Sequence, residues 1–148
     1  MNVFQIALYF LFRSGQERNV EITHLKLQKL VYYAQAWSMA INHRPLFQTD
    51  LEAWLHGPVS RELYLEYRDC GYRVISPVDN IDFNINPADL DVLQGVWDLY
   101  SEFDGKYLEA LTHQEQPWID AWEQGMNQVI DLQVMEQFYG EMLERAAE

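Results

Sequence analysis

Hydrophobic residues recur at intervals of three and four along most of the chain, the spacing that places side chains on one face of an α-helix. The pattern first predicts an amphipathic helix that ends near Gly15, with inner positions at Val3, Ile6, Ala7, Phe10 and Leu11. A second helix is predicted after Thr23, a residue suited to an N-cap, and it stops at Asn42 to Pro45. Its apolar face consists of Leu27, Leu30, Val31, Ala34, Trp37 and Ile41. This is the clearest helix in the sequence.

The middle of the chain is less regular. Residues 46–56 fit a short helix or an extended segment, because so short a run satisfies both periods. Gly57 and Pro58 predict a rigid corner, since proline fixes its own φ and biases the preceding residue away from the helical region. A helix is expected to start there, with Gly71 after its end. Its apolar stripe is Val59, Leu63, Tyr67 and Cys70.

Residues 72–85 mix β-branched and aromatic residues with Pro77, which favours a short hairpin or an extended arm. Helical spacing then returns, with N-caps predicted at Asn86 and Asp104 and a helix start at Gln116 and Pro117. The inner positions of these helices and of a terminal one are predicted to be Leu90, Leu93, Val96, Trp97, Tyr100, Tyr107, Leu108, Leu111, Trp118, Trp122, Leu132, Met135, Phe138, Met142 and Leu143. The prediction is therefore all-α, mainly helical: a compact single domain over residues 1–148 with six or seven helices and, near residues 72–85, a hairpin or arm.

Length and composition agree with this class. A chain of 148 residues with 49% hydrophobic and 22% charged residues is globular and long enough to bury a core. It has no Gly/Ser-rich linker and no internal repeat, and no window of about 18 uncharged apolar residues suggests a membrane span. Without a basic leader before the first apolar stretch, a cytoplasmic location is expected.

The net charge of −13 lies in one half of the chain. Residues 1–78 hold eight Lys/Arg and seven Asp/Glu, a balance of +1, whereas residues 79–148 hold two Lys/Arg and sixteen Asp/Glu, a balance of −14. Such a field repels nucleic acid and anionic lipid and attracts basic partners, or it serves only to keep an aromatic-rich protein soluble. Lys26, Lys29, Arg61, Arg68 and Arg73 are too few to predict autonomous nucleic-acid binding.

The residue patterns of common enzyme classes are missing. Neither phosphate-binding glycine pattern occurs, and the four histidines are not at metal-ligating helical spacing. His113 and Glu115 form an H-x-E pair without the P-C-x-x-C that zinc deaminases also need. The lone Cys70 excludes an intramolecular disulfide and is interpreted as a small core residue rather than a nucleophile. The sequence therefore predicts no enzyme, no cofactor and no metal.

What remains is recognition of another protein. Aromatic and amphipathic side chains dominate interface hot spots because they bury a large area at little entropic cost. The residues selected as partner-binding candidates are Tyr33, Trp54, His56, Arg61, Tyr64 and His113. Several of them compete with a core role, as do Trp37 and Trp118, because a domain of this size needs large side chains inside.

Four ordered segments give the sequence a family resemblance. They are the L-x-L-Q-K-L-x-Y-Y-A-Q pattern at Leu25 to Gln35, the P-L-F segment at Pro45 to Phe47, the E-A-W-x-x-G-P-V corner at Glu52 to Val59 and the L-T-H-x-E-x-P-W segment at Leu111 to Trp118. With them the chain resembles the Panacea antitoxin domain, also described as SocA-like or phage-associated GepA-like, from the first helix to about Gly140.

The resemblance implies an antitoxin that neutralises a cognate protein toxin, encoded by the adjacent gene, through direct contact and without catalysis. Phage and prophage settings are common in the family, so a phage-borne role against a host system is a further expectation, with a chromosomal origin left open. The alternative is an adaptor or regulatory module, which presents its partner to a protease or modulates a host system for a phage. These two roles differ in outcome, because an adaptor lowers the abundance of its partner while an antitoxin keeps the partner in an inert complex. A homo-oligomer stays open.

Overall fold

A computed structural model of the protein describes residues 1–148 and contains seven α-helices and one two-stranded hairpin. The elements are α1 (Val3–Gln16), α2 (His24–Asn42), β1 (Glu52–Trp54), β2 (Gly57–Val59), α3 (Arg61–Tyr67), α4 (Pro87–Tyr100), α5 (Gly105–Thr112), α6 (Gln116–Glu123) and α7 (Leu132–Ala146). A 3₁₀ turn, Arg68–Cys70, follows α3. The mainly helical class predicted from the sequence is confirmed. No helix has the length and apolar character needed to cross a membrane.

Helix α2 is the centre of the fold. The helices α7, α4, α5 and α1 and the strand β2 all pack on it, so that fifteen of its nineteen residues are buried. The predicted single apolar face was therefore too narrow, and Ile41, placed on that face, is instead exposed at the end of the helix. A helix covered on all sides has to bury polar residues as well, and these need partners.

Three buried polar side chains of α2 find those partners in the main chain of residues 46–60, the segment that contains the hairpin. The amide of Gln28 donates to the carbonyl of Ser60 and accepts from its N–H, at 3.2 and 2.8 Å. Lys29 Nζ donates to the carbonyl of Pro58 at 3.1 Å. Gln35 accepts from the N–H of Leu46 and donates to the carbonyl of Phe47. We refer to Gln28, Lys29 and Gln35 as the clasp, because they fix the connection from α2 to α3.

The helix starts follow the capping chemistry that the sequence predicts. Thr23, Asn86 and Asp104 each accept a hydrogen bond from the backbone N–H three residues on, at the beginning of α2, α4 and α5. Pro87 lies in the first turn of α4, where it loses no helical hydrogen bond. Local signals therefore decide where these three helices begin.

The hairpin spans residues 52–59, whereas the sequence suggested a hairpin or an arm near residues 72–85. Strands β1 and β2 pair antiparallel between Glu52 and Val59, which also settles residues 46–56 as extended rather than helical at their end. Residues 72–85 form no hairpin. They are an extended arm with one isolated bridge, Val74 to Thr23, and Ile75 is buried against the core. Ile75 packs on the core, whereas Tyr72 and Val74 are exposed, and no second strand pairs with the arm.

The C-terminal helices depart from the predicted inner face at several positions. Tyr107 is 51% exposed, and Leu132 and Leu143 are exposed as well, although all three were predicted to lie inside. In their place Tyr139 of α7 is fully buried and belongs to the same core cluster as α1, α2 and α4. Aromatic rings, among them that of Tyr139, therefore cover the side of α2 that the arm and the hairpin leave open.

Candidate functional site

An open cleft of about 440 Å³ lies where the hairpin meets α2, α3 and α5. Its walls hold Trp54, His56 and Tyr64, three of the six residues selected from the sequence, and Arg61 lies at its rim over the ring of Trp54. We call this the hairpin cleft. Its lining is His24, Leu25, Gln28, Lys29, Trp54, His56, Val59, Tyr64, Gly71, Tyr72 and Lys106.

The hairpin that forms one wall is held along β1 by residues 118–128, while Lys29 and Gln28 of the clasp bond to β2 and to the residue after it. On the outer edge of β1, Ala53 N–H donates to the carbonyl of Gln128 and Asn127 N–H donates to the carbonyl of Ala53. The indole N–H of Trp118 donates to the carbonyl of Trp54 at 2.9 Å. An edge strand with its backbone groups satisfied is rigid and is protected from pairing with another chain. The cleft is therefore presented by a fixed frame.

Trp54 and Arg61 share one carboxylate. Glu52 Oε1 accepts from the Trp54 indole N–H at 2.9 Å and from Arg61 at 3.0 Å, and the guanidinium lies 5.6 Å from the centre of the Trp54 ring. The ring of Tyr64 meets Trp54 edge-on at 4.9 Å. These contacts fix the three side chains in one arrangement while leaving Tyr64 and Arg61 partly open to solvent.

A second carboxylate, Glu109, lies on the α5 side beside two side chains of the cleft. Its Oε1 is 3.2 Å from His56 Nδ1 and 3.7 Å from Lys106 Nζ, yet no neighbour meets it with hydrogen-bond geometry. His56 and Lys106 are both largely exposed, so these contacts are weak. The oxygen itself is buried and does not line the cleft, so Glu109 lies behind the wall that these two side chains form.

Lys29 forms the floor beneath the hairpin corner. It is fully buried, and a Cβ on Gly57 would come within 2.6 Å of its Cε. Burial lowers the pKa of Lys29 to about 7, although the charge of Glu109 raises it. Burial and the charge of Lys29 also lower the pKa of His24. The corner therefore needs glycine at position 57 both for its φ of +104° and to leave room for Lys29.

Tyr33, selected as a partner contact, is not on the surface, and that prediction is corrected. It is fully buried in α2, stacked on Tyr100 at 4.0 Å, and its hydroxyl donates to Glu115 Oε1 at 2.7 Å. Tyr139 donates to the same oxygen at 2.9 Å and its hydroxyl lies 2.9 Å from that of Tyr32. We call Tyr32, Tyr33, Glu115 and Tyr139 the Glu115 network.

The Glu115 network joins two of the sequence segments that carry the family resemblance, Leu25 to Gln35 and Leu111 to Trp118. Burial raises the pKa of Glu115 above its ordinary value, while the hydrogen bonds from Tyr33 and Tyr139 lower it. Burial likewise raises the pKa of Tyr33. Tyr32 and Tyr33 on α2 and Glu115 before α6 therefore belong to one buried hydrogen-bond network. Their function is to join α2, α6 and α7.

His113, also selected from the sequence, lies between the two regions. Its ring is 4.2 Å from that of Trp118, and its Nε2 is buried without a hydrogen-bond partner. Trp118 in turn stacks on Trp122 at 5.1 Å. His113 is therefore outside the hairpin cleft and backs the indole that anchors β1.

Two exposed residues of the cleft region were not selected. Tyr72 is 96% exposed at the cleft mouth, and Leu55 is 62% exposed at the hairpin turn. Tyr72 directly follows Gly71, the residue after the α3 region, and an aromatic residue just past a predicted helix end is the signal by which it could have been selected. Leu55 had none, because the turn itself was not predicted.

The cleft brings together aromatic and basic side chains. Cys70 is partly buried and does not line it, and no group of three or more His, Cys, Asp or Glu side chains is arranged to hold a metal ion. What converges are the rings of Trp54 and Tyr64, the amine of Lys106 and, at the rim, the guanidinium of Arg61. Such a surface suits recognition of a protein segment.

Comparison with known proteins agrees with this description. No curated protein and no solved structure matches the chain. The model of the family described as antitoxin SocA-like, Panacea domain, matches residues 27–119. That range is narrower than the resemblance in the sequence and leaves out α1 and α7, but it contains the clasp, the hairpin and Glu115. The match covers more than half of the protein, and the chain belongs to the antitoxin SocA-like, Panacea domain family.

Proposed function

We propose that the protein is an antitoxin that neutralises a cognate protein toxin by direct binding, without catalysis, and that the hairpin cleft is its principal contact surface. The family supports an antitoxin-like role. The observation that carries the proposal is the convergence of Trp54, His56, Arg61 and Tyr64 on one open cleft with Tyr72 exposed beside them.

The cleft has the anatomy of an interface centre. Trp54 and Tyr64 supply large apolar faces whose rotamers are already fixed, so that binding orders few additional side chains. Arg61 and Lys106 supply charge at the margin, where it selects the partner more than it adds affinity. The acidic surplus of residues 79–148 accelerates encounter with a basic toxin, so the association rate is expected to fall as salt rises.

The test is co-expression with the toxin encoded by the neighbouring gene. Wild-type protein is expected to restore growth and to co-purify with the toxin, whereas Tyr64→Ala with Tyr72→Ala is expected to lose both. The free energy of unfolding of this double variant is expected to fall by only about 1–2 kcal/mol, because Tyr72 is almost fully exposed and the loss comes mainly from the contact of Tyr64 with Trp54.

The matched control is Phe4→Ala, which removes an exposed aromatic ring of α1 that lines neither the cleft nor a neighbouring groove. It is expected to neutralise like wild type. Failure of wild type to bind or to rescue rejects the antitoxin proposal. A fall in toxin level on co-expression favours the adaptor instead, and full activity of the double variant moves the contact surface away from the cleft.

A further inference from the structure

The hairpin cleft differs in charge from the rest of the protein. The chain has a net charge of −13, yet no Asp or Glu side chain lines the cleft. Apart from its two tyrosines, the ionisable side chains of the lining are His24, Lys29, His56 and Lys106. All of these are basic, and Arg61 adds a guanidinium at the rim. A basic cleft on an acidic protein favours an occupant of negative charge.

The two cations that face solvent are Lys106 and Arg61. Their side chains are 70% and 54% exposed, whereas the carboxylates beside them, those of Glu109 and Glu52, are each only 16% exposed. The carboxylates therefore lie behind the cations. A segment that enters the cleft from solvent meets the positive groups first.

The hydrogen-bonding groups of these cations are donors without full use. Lys106 Nζ lies 3.7 Å from Glu109 and forms no hydrogen bond, and Arg61 donates to Glu52 through Nε and Nη2, which leaves Nη1 free. Lysine and arginine donate and cannot accept. The amide of Gln28, which also lines the cleft, already uses both its oxygen and its nitrogen within the protein. The free groups therefore fit an acceptor, and a carboxylate is the strongest that a protein segment offers.

We propose that the hairpin cleft binds a short acidic segment of the partner protein, in which an Asp or Glu carboxylate accepts hydrogen bonds from Lys106 while neighbouring apolar side chains pack on the rings of Trp54 and Tyr64. The inference rests on the proposed function in assigning this segment to the bound toxin. The acidic surplus of residues 79–148 acts at long range on the partner as a whole, and the cleft acts on this one segment.

The net charge also favours a protein segment over a nucleic acid. A single strand brings acceptors and stacking bases to a basic aromatic groove, but it carries a phosphate at every nucleotide. A chain of net charge −13 repels that backbone along its whole length, whereas a short protein segment brings only one or two charges.

The test compares three fluorescently labelled peptides of about eight residues by anisotropy, at about 0.15 M salt, where charges more than about 8 Å apart are largely screened. The peptides share leucine and tyrosine on either side of two central positions, which hold glutamate, glutamine or lysine. Wild type is expected to bind the glutamate peptide roughly fivefold more tightly than the glutamine peptide, the effect of one exposed ion pair. The lysine peptide is expected to bind no better than the glutamine peptide.

The variant that locates the carboxylate is Lys106→Met. It is expected to bind the glutamate and glutamine peptides within about twofold of each other, and its unchanged affinity for the glutamine peptide shows that the cleft is intact. The matched control is Arg18→Met, which removes the same charge from an exposed position that does not line the cleft. It is expected to keep the preference for glutamate.

Several outcomes overturn the inference. They are equal binding of the glutamate and glutamine peptides, tighter binding of the lysine peptide, a preference for glutamate that survives Lys106→Met, and binding of no peptide at about 1 mM. Tighter binding of an oligothymidine of roughly ten nucleotides, lost in Lys106→Met, assigns the cleft to nucleic acid instead. Because no toxin is present in these measurements, their failure leaves the neutralisation test unaffected, and failure of neutralisation leaves the peptide result standing.

Discussion

The Glu115 network and the hairpin cleft are built from the same kinds of residue and do opposite things with them. In the Glu115 network, the hydroxyls of Tyr33 and Tyr139 both donate hydrogen bonds to the buried carboxylate of Glu115. In the cleft, Tyr64 is partly exposed and Tyr72 is almost fully exposed, and neither hydroxyl is used in a hydrogen bond within the protein. A polar aromatic group that has used its bonding capacity internally holds the fold, and one that retains it is available to a partner.

The difference predicts how each region responds to mutation. Residues of the Glu115 network should change stability strongly and affect neutralisation only through folding. Residues on the open side of the cleft should do the reverse. Gly57 and Lys29 lie between the two regions, because they form the floor on which the cleft stands, and they should affect stability to an intermediate degree.

The largest expected effect is that of Tyr33→Ala. Removing a fully buried ring stacked on Tyr100 should lower the free energy of unfolding by about 3–5 kcal/mol. Tyr33→Phe keeps the ring and loses only the bond to Glu115, so about 1.5 kcal/mol is expected. Urea unfolding measures both. A loss for Tyr33→Ala no greater than that for the exposed Tyr72→Ala would contradict the contrast between the two regions.

The next effect is that of Gly57→Ala. The new Cβ would lie 2.6 Å from Lys29 Cε at a φ of +104°, so a loss of about 2–3 kcal/mol is expected in the same unfolding measurement. Gly71→Ala is the control, because its φ is also positive, at +56°, but no atom lies within 4 Å of the added carbon. It should cost about 1 kcal/mol. Equal losses at both positions would show that the approach of Lys29 is unimportant.

The smallest effect is a pH dependence that Lys29 causes. Its pKa of about 7 in the folded protein is below its ordinary value of 10.5, so between these values the unfolded chain binds more protons and rising pH stabilises the fold. Between about pH 7.5 and about pH 9.5 the wild type should gain roughly 2 kcal/mol of unfolding free energy relative to Lys29→Met. Parallel stability curves for the two proteins would mean that Lys29 titrates normally.

Local chemistry explains what the sequence predicted correctly. The N-caps at Thr23, Asn86 and Asp104 depend only on a side chain and the backbone N–H three residues further on. They can therefore be predicted without knowledge of the tertiary structure. The corner and helix start expected at Gly57 and Pro58 were wrong: both residues lie in strand β2, the turn is at Leu55 and His56, and the helix begins at Arg61 after an N-cap at Ser60. Trp54, His56, Arg61 and Tyr64 lie close to that turn in the chain, which is why selecting them together brought together residues of one cleft.

What the sequence missed depends on contacts between distant segments. The strands β1 and β2 have three residues each, too few to show a period of two. The polar residues Lys29 and Gln35 are buried because main-chain groups far along the chain receive their bonds. Tyr33 and Tyr139 are buried because each meets Glu115, from 82 and 24 residues away. No pattern within a single helix carries that information.

The clasp has a consequence for how the protein can vary. Gln28, Lys29 and Gln35 form hydrogen bonds with main-chain carbonyl and N–H groups of residues 46–60. Every residue except proline has both groups, so these bonds do not depend on the side chains of that segment. Leu55 and His56 at the hairpin tip can therefore be exchanged for other residues while the frame beneath them stays in register. For the antitoxin proposed above, the residues of the tip can therefore differ between partners without a change of fold.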